Sequence, residues 1–196
     1  MPNATVGGFR YVRNISGAQA PSISIEPVAD NNTLAIFSGD VVNRAAGGYA
    51  YVTAAAGADI LGVMDGAEAY WDGENMRKGR YLPAATTYST NLTRTSLIRV
   101  ISAIDAVFEV DAAAATIVTE ANWITLIGEN CDITATAGTT SNGQSKHCLD
   151  ITSRAATAKQ FRVLGFPGRV DAQDWAASRV KILVKVHQSH LAGAGV

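Results

Sequence analysis

Histidine, cysteine and carboxylate side chains are where chemistry would start, and this chain has few of them at useful spacing. His147-Cys148, with Cys131 and Asp150, offers imidazole, thiolate and carboxylate, the ligand types of zinc. The spacing makes neither a C-x2-C nor an H-x3-H unit, so no metal is expected there. His187 and His190 stand at i and i+3, which joins them on one metal only in a helix. They follow a run with strand character and read as interface or solvated residues. Asp105, Glu109 and Asp111 are the acid/base candidates. Glu109 and Asp111 share one side of a strand about 7 Å apart, a separation that overlaps an inverting glycosidase pair. Such pairs work across an aromatic-lined cleft, and only 7% of this chain is aromatic, so a solvated strand face is the expectation.

Nucleophile and phosphate motifs are missing. There is no G-x-S-x-G and no G-x-x-x-x-G-K-[ST], and Gly7-Gly8 and Gly47-Gly48 are isolated turn glycines. Tyr70-Trp71 with Arg77, Lys78 and Arg80 is a small basic–aromatic cluster of the kind that stacks a base or sugar. A hairpin end with charged tips is the better reading. Asn3-Ala4-Thr5, Asn14-Ile15-Ser16 and Asn91-Leu92-Thr93 match the glycosylation sequon, which matters only in a secreted chain. No enzyme and no cofactor are expected.

Composition narrows the class. The 196 residues carry 16 Lys+Arg and 17 Asp+Glu, a formal charge of −1, and a pI near 6.3 leaves no basic surplus for a phosphate backbone. Neither nucleic acid nor membrane is an expected partner, because no apolar run approaches the roughly 20 residues that cross a bilayer. The opening MPNATVGGFR has no basic stretch leading into an apolar core, so no secretory signal is expected. Charged residues make up 17% and hydrophobic ones 47%, but 33 Ala and 18 Gly supply much of the bulk. So few charges suit a surface covered by copies or a partner, or one solvated by Thr, Ser, Asn and Gln. Cys131 and Cys148 are expected to be a reduced pair.

The elements that must position these residues are short strands. SISIEPV (22–28), TLAIF (33–37), Val41-Val42, Tyr49–Val52, Ile60–Met64, LIRVI (97–101) and AVFEV (106–110) are set apart by Gly, Asn, Asp and Pro. The last strand is the clearest. Val180, Ile182, Val184 and Val186 share one face, and Lys181, Leu183, Lys185 and His187 share the other. FRVLGF (161–166) is its expected partner, and 169–178 is expected to be a loop with one helical turn. A short helix is expected over 119–128, with Thr119 as cap and Gly128 just past its end. Asn142-Gly143 between DITATA (132–137) and HCLDIT (147–152) is a hairpin cue. A two-residue turn there pairs Cys148 with Ala137 and not with Cys131. No internal repeat of fixed period is present.

Several segments, in order across nearly the whole chain, resemble small structural proteins of tailed-phage virions. They are Gly8–Val12 (GFRYV), Phe37–Val42 (FSGDVV), Ile60–Val63 (ILGV), Arg80–Ala84 (RYLPA), Asp105–Val110 (DAVFEV), Gly128–Asn130 (GEN) and Val184–Gly193 (VKVHQSHLAG). Phe166-Pro167-Gly168 departs from the plainer apolar run expected there. The resemblance implies a head decoration (cement) protein: non-enzymatic, β-rich, trimeric or dimeric with the trimer favoured. It would sit on the capsid exterior against the major capsid protein, after assembly in the bacterial host cytoplasm. A tail or connector component is the nearest alternative. A carbohydrate-binding module or hydrolase using Glu109, Asp111 or Trp71 is the alternative from another class.

The expected fold is therefore all-β, an antiparallel barrel or sandwich with one short helix. Residues 21–196 form one β-rich domain, with a possible small subdomain or hairpin at 112–152, and residues 1–20 form an extended arm. Such an arm can add a strand to a neighbour's exposed edge. Phe9, Arg10 and Tyr11 would be its anchors, and His187, His190 and Leu191 complete the expected interface set. The alternative for Phe9-Arg10-Tyr11 is the start of the first core strand.

Overall fold

The computed structural model describes residues 7–29, 32–52, 58–84, 96–113, 120–157, 159–168 and 179–189. The described residues are all-β with one short helix. Its strands are β1 (Arg10–Asn14), β2 (Ile23–Val28), β3 (Ile36–Phe37), β4 (Val41–Arg44), β5 (Ala50–Val52), β6 (Gly62–Trp71) and β7 (Met76–Gly79). They continue with β8 (Tyr81–Leu82), β9 (Ser96–Ser102) and β10 (Ala106–Ala113). After helix α1 (Glu120–Ile124) come β11 (Asn130–Thr134), β12 (Cys148–Ala155), β13 (Phe161–Gly165) and β14 (Arg179–Val186).

Ten of these strands form two rings, with β1 and β7 added at their flanks and β3 and β8 paired with each other. The second is a barrel, β10-β12-β11-β13-β14, closed by β14 returning to β10. The first is β2-β5-β4-β6-β9, closed by β9 returning to β2. Number the strands of each ring in chain order, and the two orders are the same. In both, the first and third strands pair parallel and every other pair is antiparallel. The registers agree as well. Matching Val28↔Ala50 with Ala112↔Leu149 makes Arg44 equivalent to Ile133, Gly62 to Phe161 and Ser102 to Val186. Going once round the ring returns to Val28 and Ala112 without a slip. Even the bulge recurs, between Met64 and Gly66 in one ring and between Val163 and Gly165 in the other.

The sequence hides this repeat because equivalent positions meet different surroundings. Outward-facing Val41, Val63 and Ile101 of the first ring join the second ring's apolar core cluster. Their equivalents are Asn130, Arg162 and Lys185, which have no second barrel to cover. Inside, Glu26 and Arg44 form an ion pair in the first ring, where the second ring has core residues Val110 and Ile133. Along β14 the alternation is as read: Val180, Ile182, Val184 and Val186 are buried, and Lys181, Leu183 and Lys185 half-buried.

Four expectations need correcting. Residues 10–14 are not a free arm: β1 lies antiparallel on β10, from Arg10↔Glu109 to Asn14↔Ala106. Of the two readings for 112–152 the hairpin is present, as β11 and β12, and it is no separate subdomain, since both are staves of the second barrel. The Asn-Gly hairpin has a longer turn, closing at Thr139↔Gln144, so that Thr134 and not Ala137 meets Cys148. Gly143 takes φ +68°, while the Asn142 amide oxygen accepts the Gln144 N–H at 3.0 Å. The helix is shorter than expected. It stops at Ile124 and continues as tight turns to Gly128, at φ +91°, burying Trp123 and Leu126 in the second barrel's core. Thr119 and the loop 169–178 lie outside the described residues.

Candidate functional site

The expected interface set divides. Phe9 is buried, stacked on Phe161 with ring centroids 4.6 Å apart and edge-on to Phe108 at 6.4 Å. It is a core residue of the second barrel and not a free anchor, because an aromatic this size gains most where it is fully desolvated. The Gly8 and Phe9 N–H groups donate to Ser145 and Gly39 carbonyls at 3.0 and 2.9 Å, which fixes its entry. Arg10 keeps a largely exposed side chain and pairs with buried Glu109 at 3.1 Å. Tyr11 is half-buried against the same core. His187 is exposed, with its N–H on the Gln160 carbonyl at 2.8 Å. His190 and Leu191 lie outside the described residues.

A cluster of catalytic residue types that sequence reasoning missed sits where the rings meet. Asp40 follows the Ser38-Gly39 turn, and its Oδ2 accepts the Phe37 N–H at 2.8 Å. His147 precedes β12. Its Nδ1 accepts the Val41 N–H at 3.2 Å, which places the imidazole proton on Nε2, 3.4 Å from Asp40 Oδ1. Both side chains are 2% exposed. Burial raises the Asp40 carboxyl to about 6, offset in part by hydrogen bonds from Ser145 and Phe37. Burial pushes the His147 imidazole down to about 4. Ser, His and Asp are thus together, but not connected as a nucleophile relay. The Ser145 hydroxyl accepts the His147 backbone N–H at 3.0 Å, and Ser145 itself is fully buried. The cluster staples the two rings. No sequence spacing announces it, since Asp40 and the Ser145–His147 stretch come from loops far apart in the chain.

The acid pair is not a solvated face. Glu109 and Asp111 are both buried, because β10 is flanked by β14 on one side and by β1 and β12 on the other. Glu109 meets Arg10, and Asp111 Oδ1 meets Lys181 Nζ at 2.6 Å, directly across the ladder. Each carboxylate is therefore engaged by a cation of a neighbouring strand. Asp105 stands apart at the β9–β10 turn. There the Ser16 hydroxyl and N–H hold its carboxyl below the ordinary range.

The zinc ligand types do not converge. Cys131 lies in the second barrel's core, and burial, then the carboxylates of Asp150, Asp132 and Glu129, push its thiol up to about 12. That disfavours the thiolate a metal needs. Cys148 lies opposite Thr134 in the ladder, Cys131 and Cys148 are not joined in a disulfide, and Asp150 is engaged by Thr152. Among the described residues no three His, Cys, Asp or Glu side chains gather as for a metal. The basic–aromatic cluster is the β6–β7 hairpin, with Trp71 opposite Met76. Arg77 pairs with Asp72 and Lys78 with Glu68, while Arg80 is exposed. The Asn14 sequon is closed: its amide is buried and donates to the Ala18 and Ala20 carbonyls at 3.2 and 2.7 Å. Asn3 and Asn91 lie outside the described residues.

What faces solvent instead is aliphatic. Val12, Ile15, Ile23, Ile25 and Ile104 are all exposed on β1, on β2 and on the loops that join them to the β9–β10 corner. Such groups mark contact surfaces. Comparison with known proteins finds no matching family model, no matching curated protein and no matching solved structure.

Proposed function

We propose that this chain is a non-enzymatic head decoration (cement) protein of a tailed phage, an oligomer that binds the assembled capsid and stiffens it. Its partners are the major capsid protein and its own copies, and its place is the outside of the virion. The reading starts from the resemblance of the ordered segments from Gly8 to Gly193. One structural observation supports it most. Glu109, Asp111 and His147 are buried and held by ion pairs or hydrogen bonds inside the fold, while uncharged aliphatics are exposed on β1, β2 and the turns beside them. That is the layout of a protein that works by contact.

The mechanism is linkage. A protein that binds the assembled lattice and not its dissociated subunits stabilises the lattice by about 2.7 kcal/mol per site at a free concentration a hundred times Kd. Oligomers multiply this by avidity, so each contact can be small. Co-sedimentation of the purified protein with expanded heads tests the reading. Saturable binding at a fixed ratio to the major capsid protein is expected. Failure to pellet with heads, or binding to tails alone, overturns it.

A further inference from the structure

We propose that the open edge of β2, residues Ser22 to Ile25, is a contact between two copies of this chain, paired antiparallel across a two-fold axis. The ring equivalence carries the idea. In the second barrel, Ala106–Glu109 of β10 is flanked by an extra strand, β1, running antiparallel. The equivalent edge of the first ring is Ser22–Ile25. Among the described residues no strand lies there, since β2 meets β5 only at Val28↔Ala50.

The edge is built to receive a strand. The Ser22 carbonyl accepts the Ser102 N–H at 2.8 Å, so the residue's polar groups face β9. By strand alternation those of Ser24 and Glu26 do the same, and the N–H and C=O groups of Ile23 and Ile25 face outward. Ile23 is 47% exposed and Ile25 58%. Ile104, at 66%, and Ile15 stand beside them, tied together by the Ile15 N–H on the Asp105 carbonyl at 2.8 Å.

Charge selects a second copy as the occupant. Ser22–Ile25 carries none, and neighbouring Glu26 is buried and paired with Arg44. The other flanking strands are guarded in the usual way: β1 by Arg10, Arg13 and a bulge at Val12, and β7 by Arg77 and Lys78. A two-fold axis at Ser24 sets Ile23 opposite Ile25 of the other copy, with every outward N–H and C=O of both residues used. Pro21 then faces Pro27, where neither has a donor to lose, so the two prolines end the ladder and fix its register. The strand supplied this way is antiparallel, as β1 is on β10.

The four isoleucines bring on the order of 400 Å² of apolar surface per copy, about half of the roughly 800 Å² per partner in a standard stable interface. The contact is therefore a reversible dimer contact. It stands independently of the capsid reading.

Sedimentation equilibrium of the full chain from 1 to roughly 300 μM tests it, with amide hydrogen exchange of Ile23 and Ile25 at both ends of the range. The expected result is a concentration-dependent dimer in which both amides become protected as it forms. I25K, on the solvent face, should weaken dimerisation at least tenfold, and I23K should do the same. A chain that stays monomeric overturns the proposal, as does a dimer or trimer that I25K leaves unchanged. If either variant loses the native circular dichroism spectrum, the concentration dependence of the two amides in the unmodified chain decides.

Discussion

Asp40 and His147 show how two buried titratable groups can cancel. The His147 imidazole ionises in the fold only near 4, so its stabilising contribution is complete above its ordinary 6.5 and is lost as pH falls toward 4. The Asp40 carboxyl, raised to about 6, contributes in the opposite sense. Its stabilisation is complete below its ordinary 3.8 and is lost as pH rises through 6. Between pH 4 and 6 the two trends oppose, and the pair gives a nearly flat profile. Asp40→Asn removes one side of this balance. Urea unfolding of that variant should lose about 2 kcal/mol more than the parent between pH 6.5 and 4.5. His147→Gln should show the reverse slope, and equal slopes in all three proteins would refute the opposed burial shifts. Phe9 is the other residue with a sharp consequence. Phe9→Ala should cost about 3–5 kcal/mol by thermal or urea unfolding, and deleting residues 1–20 should destabilise the second barrel. A deletion that leaves the unfolding midpoint unchanged would restore the arm.

At the scale of elements, the repeat makes a prediction that neither ring makes alone. Glu26 and Arg44 occupy inward positions that Val110 and Ile133 fill in the other ring. Arg44→Ile should cost about 3 kcal/mol by leaving Glu26 buried without a cation. Glu26→Val should cost less, because the guanidinium retains some access to water. The double variant, which copies the second barrel, should fall close to the parent. If the double variant costs the sum of the singles, the equivalence of these positions is wrong. Much at this scale was legible in the chain. The β14 alternation and the short-strand cadence both follow from local periodicity and turn residues. The repeat was not legible, because loops of different length separate equivalent residues. Val28 and Ala112 are 84 residues apart, Arg44 and Ile133 are 89 apart, and Gly66 and Gly165 are 99 apart. Nor was the β1–β10 pairing, which joins residues nearly a hundred positions apart with no local signal. The burial of Glu109 and Asp111 escaped notice for the same reason: alternation marks a strand face, but not what covers it.

For the whole molecule, two equivalent rings packed through one ring's outer face explain how a chain with so few charges and aromatics holds together. Apolar groups that a lone ring would expose are spent on the junction, and the Asp40–His147 and Phe9 contacts fasten it. The remaining aliphatics at the β1–β2 corner are then available for other molecules. The reading as a capsid-stabilising protein is tested most directly by titrating the purified chain onto expanded heads that lack it and following their thermal disruption by light scattering. The disruption temperature should rise with concentration and level off at a fixed ratio of this chain to the major capsid protein. Bound protein that leaves the temperature unchanged, or no binding at saturating concentration, would contradict it.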